Sequence, residues 1–456
     1  MFEIQPSAII QCTGVCSVAW PTILSLLIVF VVLTGFAYTT LLERVLLARL
    51  QQRVGPNRTG PGGFLQPLAD AVKLIFKEDI IPEKVDKPVY YLAPVLKAVP
   101  VIILFAVMPF GPDILVPWFN GQWLELPLVI ADVNVAVLYL LAITSLATYG
   151  MVLAGWSSNN KYAMLGGLRA SAQMISYELS MGLALAVPVM IVGSMSLVDI
   201  VDAQQWPWEW FVFQNPLAAG ILVIALFAEV SRAPFDLTEA EQELTAGYMT
   251  EYSGMKFAIF MMAEYMGMIA VSGIAISMFF GGYHLIPVDN VPILGPLFFI
   301  GKIAIFLGLF IWVRATLPRV RYDRLMALGW KVLLPLALVS VAWTAIAVVL
   351  RETSFTAYVA VSTVFFIVVV FGGYAFLSAD SNEEEEEVDI YDDPLITGEQ
   401  RGSIGWTALN LVGGLIAIPF AIVNGIINGL ESFGEAVEGP AESDETAIVA
   451  SDQGGD

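Results

Sequence analysis

VNVAVLYLLAITSLATYGMVLAGWSSNN, residues 133–160, holds no charged side chain between Asp132 and Lys161. A helix of that length outruns the roughly 20 residues that cross the hydrocarbon core of a bilayer. Working outward, comparable charge-free runs cover Ile4–Leu42, Leu179–Val198, Trp210–Ala228, Tyr265–Val288, Val332–Leu350 and Thr353–Ala379. Two further spans tolerate one charge each, Tyr91–Pro109 with Lys97 and Ile293–Val313 with Lys302. Gly402–Leu430, rich in Gly and Asn, reads as a tenth span or as a helix lying in the interface. With 57% hydrophobic and 14% charged residues over 456 positions, the sequence describes an all-α polytopic integral membrane protein of nine or ten helices.

Charge placement sets an expected orientation, because basic residues favour the cytoplasmic side. With the N-terminus outside, all of the 21 Lys and Arg residues except Lys302, Arg351 and Arg401 fall on cytoplasmic loops or their flanks, Lys97 included. From Asp380 onward Arg401 is the one basic residue, so most of the formal net charge of −21 belongs to the tail. Such a tail reads as solvated and disordered, and a salt-rich cytoplasm favours it. The first apolar run lacks a basic leader, so no cleavable signal is expected. For Cys12 and Cys16 a disulfide, free thiols and no role are equally open.

The first basic loop, ERVLLARLQQRVGPNRTGPGGFLQPLADAVKLIFKEDIIP (43–82), breaks at GPN and GPGG. Past the break, Phe64, Leu65, Leu68, Val72, Ile75 and Phe76 recur near helical spacing, with Asp70, Lys73 and Lys77 on other faces. That pattern predicts an amphipathic surface helix near 62–78, against the blander reading of a packed loop with snorkelling lysines.

The chemically unusual stretch is AEVSRAPFDLTEAEQELTAGYMTEY (228–252), where Glu229, Asp236, Glu239, Glu241, Glu243 and Glu251 face a single Arg232. Carboxylates beside apolar spans lose hydration and repel one another, so some must pair, meet water or hold a proton. Glu178 follows Arg169 by nine residues and Glu264 follows Lys256 by eight. At about 1.5 Å per residue the two carboxylates lie at a shared depth, roughly 12 to 14 Å above those charges. Together these residues suggest a polar ladder from the cytoplasmic face toward the middle of the membrane.

The plainer alternative pairs Glu229 with Arg232, and Glu178 or Glu264 with Lys97 or Lys302, to fix helix register. Against it, Glu239 and Glu243 stand at i and i+4 and repel if both are ionised on one helix. SNNKYAMLGGLRASAQMISYELSMG (158–182) adds Arg169, Ser171, Gln173, Ser176, Tyr177 and Glu178 to the cytoplasmic half of the fourth span. Gly166 and Gly167 are expected to break the chain before that helix, and Pro188 to kink it further on.

Several chemistries are excluded. His284 is the single histidine, which rules out haem held by paired histidines. No CxxC set, GxGxxG turn or GxxxxGK[ST] loop is present. A redox reaction involving this chain is completed by a partner subunit or a diffusing cofactor.

Four stretches, 43–78, 154–182, 228–265 and 311–336 (IWVRATLPRVRYDRLMALGWKVLLPL), resemble in order the signature stretches of the H subunit of bacterial-type NADH:quinone oxidoreductase, complex I, called NADH dehydrogenase subunit one in mitochondria. The resemblance covers about Pro21 to Leu350 and, with the acid-rich tail, points to a haloarchaeal source. It implies an eight-helix core without redox centres in a proton-pumping complex of the plasma membrane. Its expected partners are peripheral-arm subunits carrying iron–sulfur clusters and antiporter-like membrane subunits, with no nucleic acid, no metal and no covalent cofactor. A quinone, menaquinone in an archaeal source, is the implied substrate. By the same resemblance Glu43, Arg44, Lys73, Arg314, Arg319 and Arg321 line or support the quinone chamber. Glu178, Glu229, Asp236, Glu239, Glu241, Glu243, Glu251 and Glu264 match the family's acidic channel. A family member typically ends near the eighth span. This chain adds an apolar segment at 353–379, an acidic linker at 380–403, a segment at 404–430 and an acidic tail at 431–456 after a core of 1–352. Lys97 has no assignment beyond snorkelling inward. A quinone-independent membrane subunit of an energy-converting hydrogenase, a stand-alone ion transporter and a purely structural anchor are the competing readings.

Overall fold

In lipid, a charge-free backbone satisfies its own hydrogen bonds most directly as α-helix, and helices dominate the computed structural model of the protein. The structure describes residues 9–11, 16–117, 123–236, 245–285, 292, 294–351 and 358–369. Cys12, most of the 353–379 segment, the acidic linker, the 404–430 segment and the tail lie outside the described residues.

The helices run α1 (Cys16–Leu50), α2 (Gln66–Phe76), α3 (Lys87–Leu104), α4 (Ala136–Ser157), α5 (Lys161–Val192), α6 (Leu197–Asp202), α7 (Phe211–Gln214), α8 (Pro216–Glu229), α9 (Gly254–Phe279), α10 (Leu294–Thr316), α11 (Tyr322–Ala327) and α12 (Leu334–Arg351). A π-helical turn, Leu328–Leu333, joins α11 to α12 so that the two form one span. Among the described residues seven helices are long and apolar enough to cross a membrane, and α8 and Tyr358–Val369 are shorter apolar helices. The chain is a multi-pass membrane protein. Near one end of the bundle sits a small sheet: β3 (Trp123–Leu126) lies between β1 (Ile9–Gln11), to which it is parallel, and β2 (Ile114–Pro117), to which it is antiparallel.

The interior is centred on α9, which packs against α1, α3 and α10, while α5 packs against α4, α8 and α12. From Ala263 to Phe279 every residue of α9 except Gly267 is buried. The outer helices instead present apolar side chains outward, such as Leu26 and Phe30 on α1 and Ile305 on α10. Outward-facing apolar side chains cost nothing against lipid tails, which are as apolar as they are. On α2, Leu68, Val72, Ile75 and Phe76 are exposed, as are Phe64 and Leu65 just before it, so this short helix holds its apolar face off the bundle.

Two elements differ from the sequence reading. Gly166 and Gly167 do not break the chain: α5 runs unbroken through 32 residues and ends at Gly193, whose φ of 80° closes the helix. The two glycines are contact points. A Cβ at Gly166 would lie 2.6 Å from the Cα of Gly247, and one at Gly155 on α4 would lie 2.6 Å from the carbonyl oxygen of Ala163. Small residues let helices approach backbone to backbone, which offsets the lack of a hydrophobic drive between helices in lipid.

The run Trp210–Ala228 is likewise not one span. It divides at Asn215 into α7 and α8. The Asn215 side chain accepts from the Ala218 N–H and donates to Thr344 Oγ1 at 2.7 Å, and Pro216 supplies the first helical residue. An Asn cap followed by Pro is a strong helix start, and here it overrides the apolar continuity. With 14 residues, α8 is about 21 Å long, well short of the bilayer's hydrocarbon thickness. Both of its polar ends therefore lie inside the bundle.

Gly166→Val is expected to destabilise the assembled protein by about 1–3 kcal/mol through overpacking, read as a lower thermal midpoint in detergent. Gly220→Ala, where an added Cβ meets nothing, should leave that midpoint unchanged.

Candidate functional site

The short reach of α8 leaves its last residue, Glu229, buried at 8% exposure. The chain then turns at Ser231, which takes a φ of 56°, and delivers Arg232 away from Glu229. Gln173 on α5 braces this turn: its Nε2 donates to the carbonyls of Ala228 at 2.8 Å and Phe235 at 2.9 Å. The segment after the turn is tied to the end of α10 by the Val320 N–H, which donates to the Pro234 carbonyl at 3.1 Å.

The turn settles which carboxylates Arg232 meets. Its Nε lies 2.5 Å from Glu264 Oε1 on α9, its Nη1 lies 3.3 Å from Glu43 Oε1 on α1, and its guanidinium stands 4.4 Å from the centre of the Tyr265 ring. The pairing of Glu229 with Arg232 that sequence proximity suggested does not form. Glu43 Oε1 also accepts from Arg314 on α10. Arg314, Glu43, Arg232 and Glu264 thus form a line of alternating charge across three helices and the turn. Arg232, Glu43 and Glu264 are each less than a tenth exposed. Opposite charges at these distances stabilise one another strongly in a low-dielectric interior, and loss of one leaves the next uncompensated.

Glu264 and Glu229 both face a cavity of about 50 Å³ walled by α3, α4, α8 and α9, with Lys97, Thr144, Ser231 and Tyr248 as its other polar lining. That volume accommodates water, and the lining offers the several polar partners a buried water needs. Glu229 Oε2 is buried without a hydrogen-bond partner among the described residues. Lys97 is buried at 9% exposure, and its Nζ lies 3.4 Å from Met151 Sδ. It sits ten residues from either end of the helical span Lys87–Val107, about 15 Å from each, too deep for its ammonium to snorkel out. The inward snorkelling expected from sequence is thus replaced by burial on the internal cavity, because which face of α3 meets the bundle depends on packing. Gly150 allows α4 to pack directly on α3 at Lys97: a Cβ there would lie 2.7 Å from the Lys97 backbone nitrogen. Lys302 is not a partner for these carboxylates. Its Nζ donates to the carbonyls of Phe280, Gly282 and His284 at 2.6, 2.9 and 2.6 Å, closing the end of α9.

The other residues that the sequence marked fall at varied distances from this cavity. Glu178 accepts from Ser145 on α4, next to the cavity wall formed by Thr144. Glu251 is apart from the cavity: its Oε1 accepts from Asn160 at 2.6 Å, and its backbone carbonyl accepts from the Tyr90 hydroxyl at 2.6 Å, pinning the loop to the start of α5. Beside it, Tyr252 stacks on Tyr90 with ring centres 4.1 Å apart, and burial pushes its phenol up to about 12 although a hydrogen bond with Ser157 opposes the shift. Asp236 is half-buried just past the Arg232 turn. Glu239, Glu241 and Glu243 lie outside the described residues. Arg44 pairs with Asp70 at 2.6 Å and Lys73 with the same carboxylate at 3.6 Å, joining α1 to α2. Arg321 pairs with Asp323 at 3.1 Å on an exposed surface, and Arg319 is half-buried in the loop that meets Pro234. Ser145 gave no sequence signal, since a lone serine in a span is ordinary helix packing.

Fold and site define a multi-pass helical membrane protein with a line of buried charges leading to an internal polar cavity. The family described as NADH dehydrogenase matches residues 23–345, and the chain belongs to that family. It is 52% identical over 312 residues to the H subunit of NADH-quinone oxidoreductase from Protochlamydia amoebophila, covering 68% of this chain and 92% of the relative. It is 51% identical over 326 residues to one of two such H subunits of Geobacter metallireducens, covering 71% and 95%. The H subunit of the Deinococcus radiodurans enzyme is 49% identical over 326 residues, covering 69% and 80%.

Arg232→Met is expected to cost about 3–5 kcal/mol, the penalty for stranding a buried partner charge, read as loss of the subunit from the purified complex at a lower temperature. Adding Glu264→Gln should recover part of that loss, and a strictly additive double variant would sink the pairing.

Proposed function

We propose that this chain is the membrane subunit of a complex I-type NADH:quinone oxidoreductase that forms the membrane side of the quinone chamber and couples quinone reduction to proton movement through its buried carboxylates. The observation that carries this reading is the continuity from Arg314 through Glu43 and Arg232 to Glu264 and the cavity facing Glu229. Family membership supports quinone as the substrate class.

A quinone headgroup near the Arg44–Asp70–Lys73 cluster and Arg314 meets cations suited to a developing quinol anion. The first basic loop and Arg319 and Arg321 then support the chamber or its contact with the peripheral arm. Electrons come from an iron–sulfur cluster of a partner subunit, because a sequence with two cysteines and one histidine lacks the ligands of such a cluster. Quinone type, menaquinone in an archaeal membrane, is set by the lipid pool. The basic loops face the cytoplasm of a plasma membrane, as charge bias favours.

Reduction places negative charge next to Arg314. That charge competes with Glu43 for the guanidinium and alters the hold of Glu43 on Arg232. Glu264 then loses or gains counter-charge, and its proton affinity follows. Glu178 and Asp236 extend the polar path on either side, and Glu239, Glu241, Glu243 and Glu251 are assigned to the same relay by the family resemblance alone. This is a physically connected network, and coupling through it requires a second arrangement at Arg232 that both ends bias.

Glu229→Gln in the assembled complex should lower proton translocation at least about tenfold, within the usual range for losing a proton-transfer group. Vesicle acidification is measured alongside quinone reduction, and unchanged pumping with normal reduction would sink the relay.

A further inference from the structure

We propose that Lys97 is a proton-carrying station of the relay, exchanging protons with Glu229 and Glu264 through water in the cavity. This rests on the relay reading above. Three features of position carry it. The ammonium lies mid-span, where a permanent isolated cation is costly. It shares one cavity with two carboxylates borne by two other helices. Among the described residues its hydrogen-bond partner is a thioether, Met151 Sδ, a weak acceptor that holds it loosely.

The charges around it are unequally committed. Glu264 has Arg232 at 2.5 Å, and Glu43 is shared by Arg232 and Arg314. Glu229, with Oε2 unpartnered among the described residues, has no comparable ion pair. Lys97 is thus the cation that balances Glu229, across water rather than in direct contact. The groups facing Lys97 are Glu229 from α8, Ser231 from the turn after it, Tyr248 from the short turn before α9, Glu264 from α9, and Thr144 and Met151 from α4.

Two arrangements of this pair carry the same net charge. In one, Lys97 holds its third Nζ proton and Glu229 is a carboxylate. In the other, that N–H bond has broken, the proton has crossed by way of water, and an O–H bond has formed on Glu229. No charge is created or destroyed in the cavity, so the exchange avoids the cost of an isolated buried ion. A change in the hold of Arg232 on Glu264 shifts the potential at the same cavity and biases the exchange. Lysine suits the task and arginine does not, since a guanidinium does not release its proton in proteins.

The test uses the assembled complex in membrane vesicles, with Lys97→Arg, Lys97→Met and Glu229→Gln compared for subunit content, quinone reduction and protons translocated per electron. Lys97→Arg keeps the charge and removes the exchangeable proton. It should assemble, retain quinone reduction within about threefold, and lose proton translocation at least about tenfold. Translocation by Lys97→Arg at the level of the unmodified complex would overturn the proposal, whether or not Lys97→Met assembles, because a structural counter-charge would suffice. If Glu229→Gln fails to translocate while Lys97→Arg translocates normally, the relay stands and only the role of Lys97 falls. If both translocate normally, the relay itself falls.

Discussion

Arg232 is held between Glu264 and Glu43, and this shared ion pair is the constraint from which the interior is organised. A guanidinium in a bundle this apolar must be neutralised where it lies. Neutralising it fixes the approach of α1, which brings Glu43, and of α9, which brings Glu264 and the Tyr265 ring. Glu43 in turn draws in the end of α10 through Arg314. The backbone is adapted to the same end, with α8 stopping at Glu229, Ser231 taking a positive φ and Gln173 accounting for two carbonyls at the break. None of these adjustments has value without the cation they position.

A short helix among long ones makes that arrangement possible. The run from Trp210 onward is divided at Asn215, which leaves polar caps inside the bundle, where Asn215 is satisfied by Thr344 and by its own helix. Irregular backbone at membrane depth is tolerated where protein or a polar cavity receives it. Here α3, α4, α5 and α9 enclose the break, and close backbone contacts at Gly150, Gly155 and Gly166 keep the enclosure narrow.

Hydropathy and charge spacing made the class of fold legible, since each apolar run had one way to exist in lipid. They also isolated Glu229, Glu264 and Arg232 as costly residues. The misreadings share a cause. Gly166 and Gly167 look like helix breakers to a propensity argument, yet in a membrane helix a missing Cβ more often serves a neighbour. The apolar continuity of Trp210–Ala228 hid a cap whose partner, Thr344, is far along the chain. Glu229 and Arg232 stand one turn apart in sequence, but they share a helix only if the helix continues, and it ends at Glu229. Lys97 reads in sequence as snorkelling inward, whereas packing turns it onto the internal cavity. In each instance the deciding information was a contact between distant segments.

Burial of charge in this protein is economical in a specific sense. Arg232 and Lys97 stand among Glu43, Glu264 and Glu229, with the partly exposed Arg314 completing the set at its outer end, so the formal charges of this group offset one another. Such a set resists gaining or losing one charge but permits internal rearrangement at little cost, because a proton or a guanidinium can pass between partners without changing the total. A cavity of fixed charge would bind ions tightly and release them slowly. A balanced one, with a shared arginine at one side and a polar cavity at the other, suits the relay proposed above. Under the proposed relay the unequal pairing supplies a direction: Glu264 is held by Arg232 while Glu229 has no comparable ion pair, so a displaced proton would move toward the group with the weaker counter-charge.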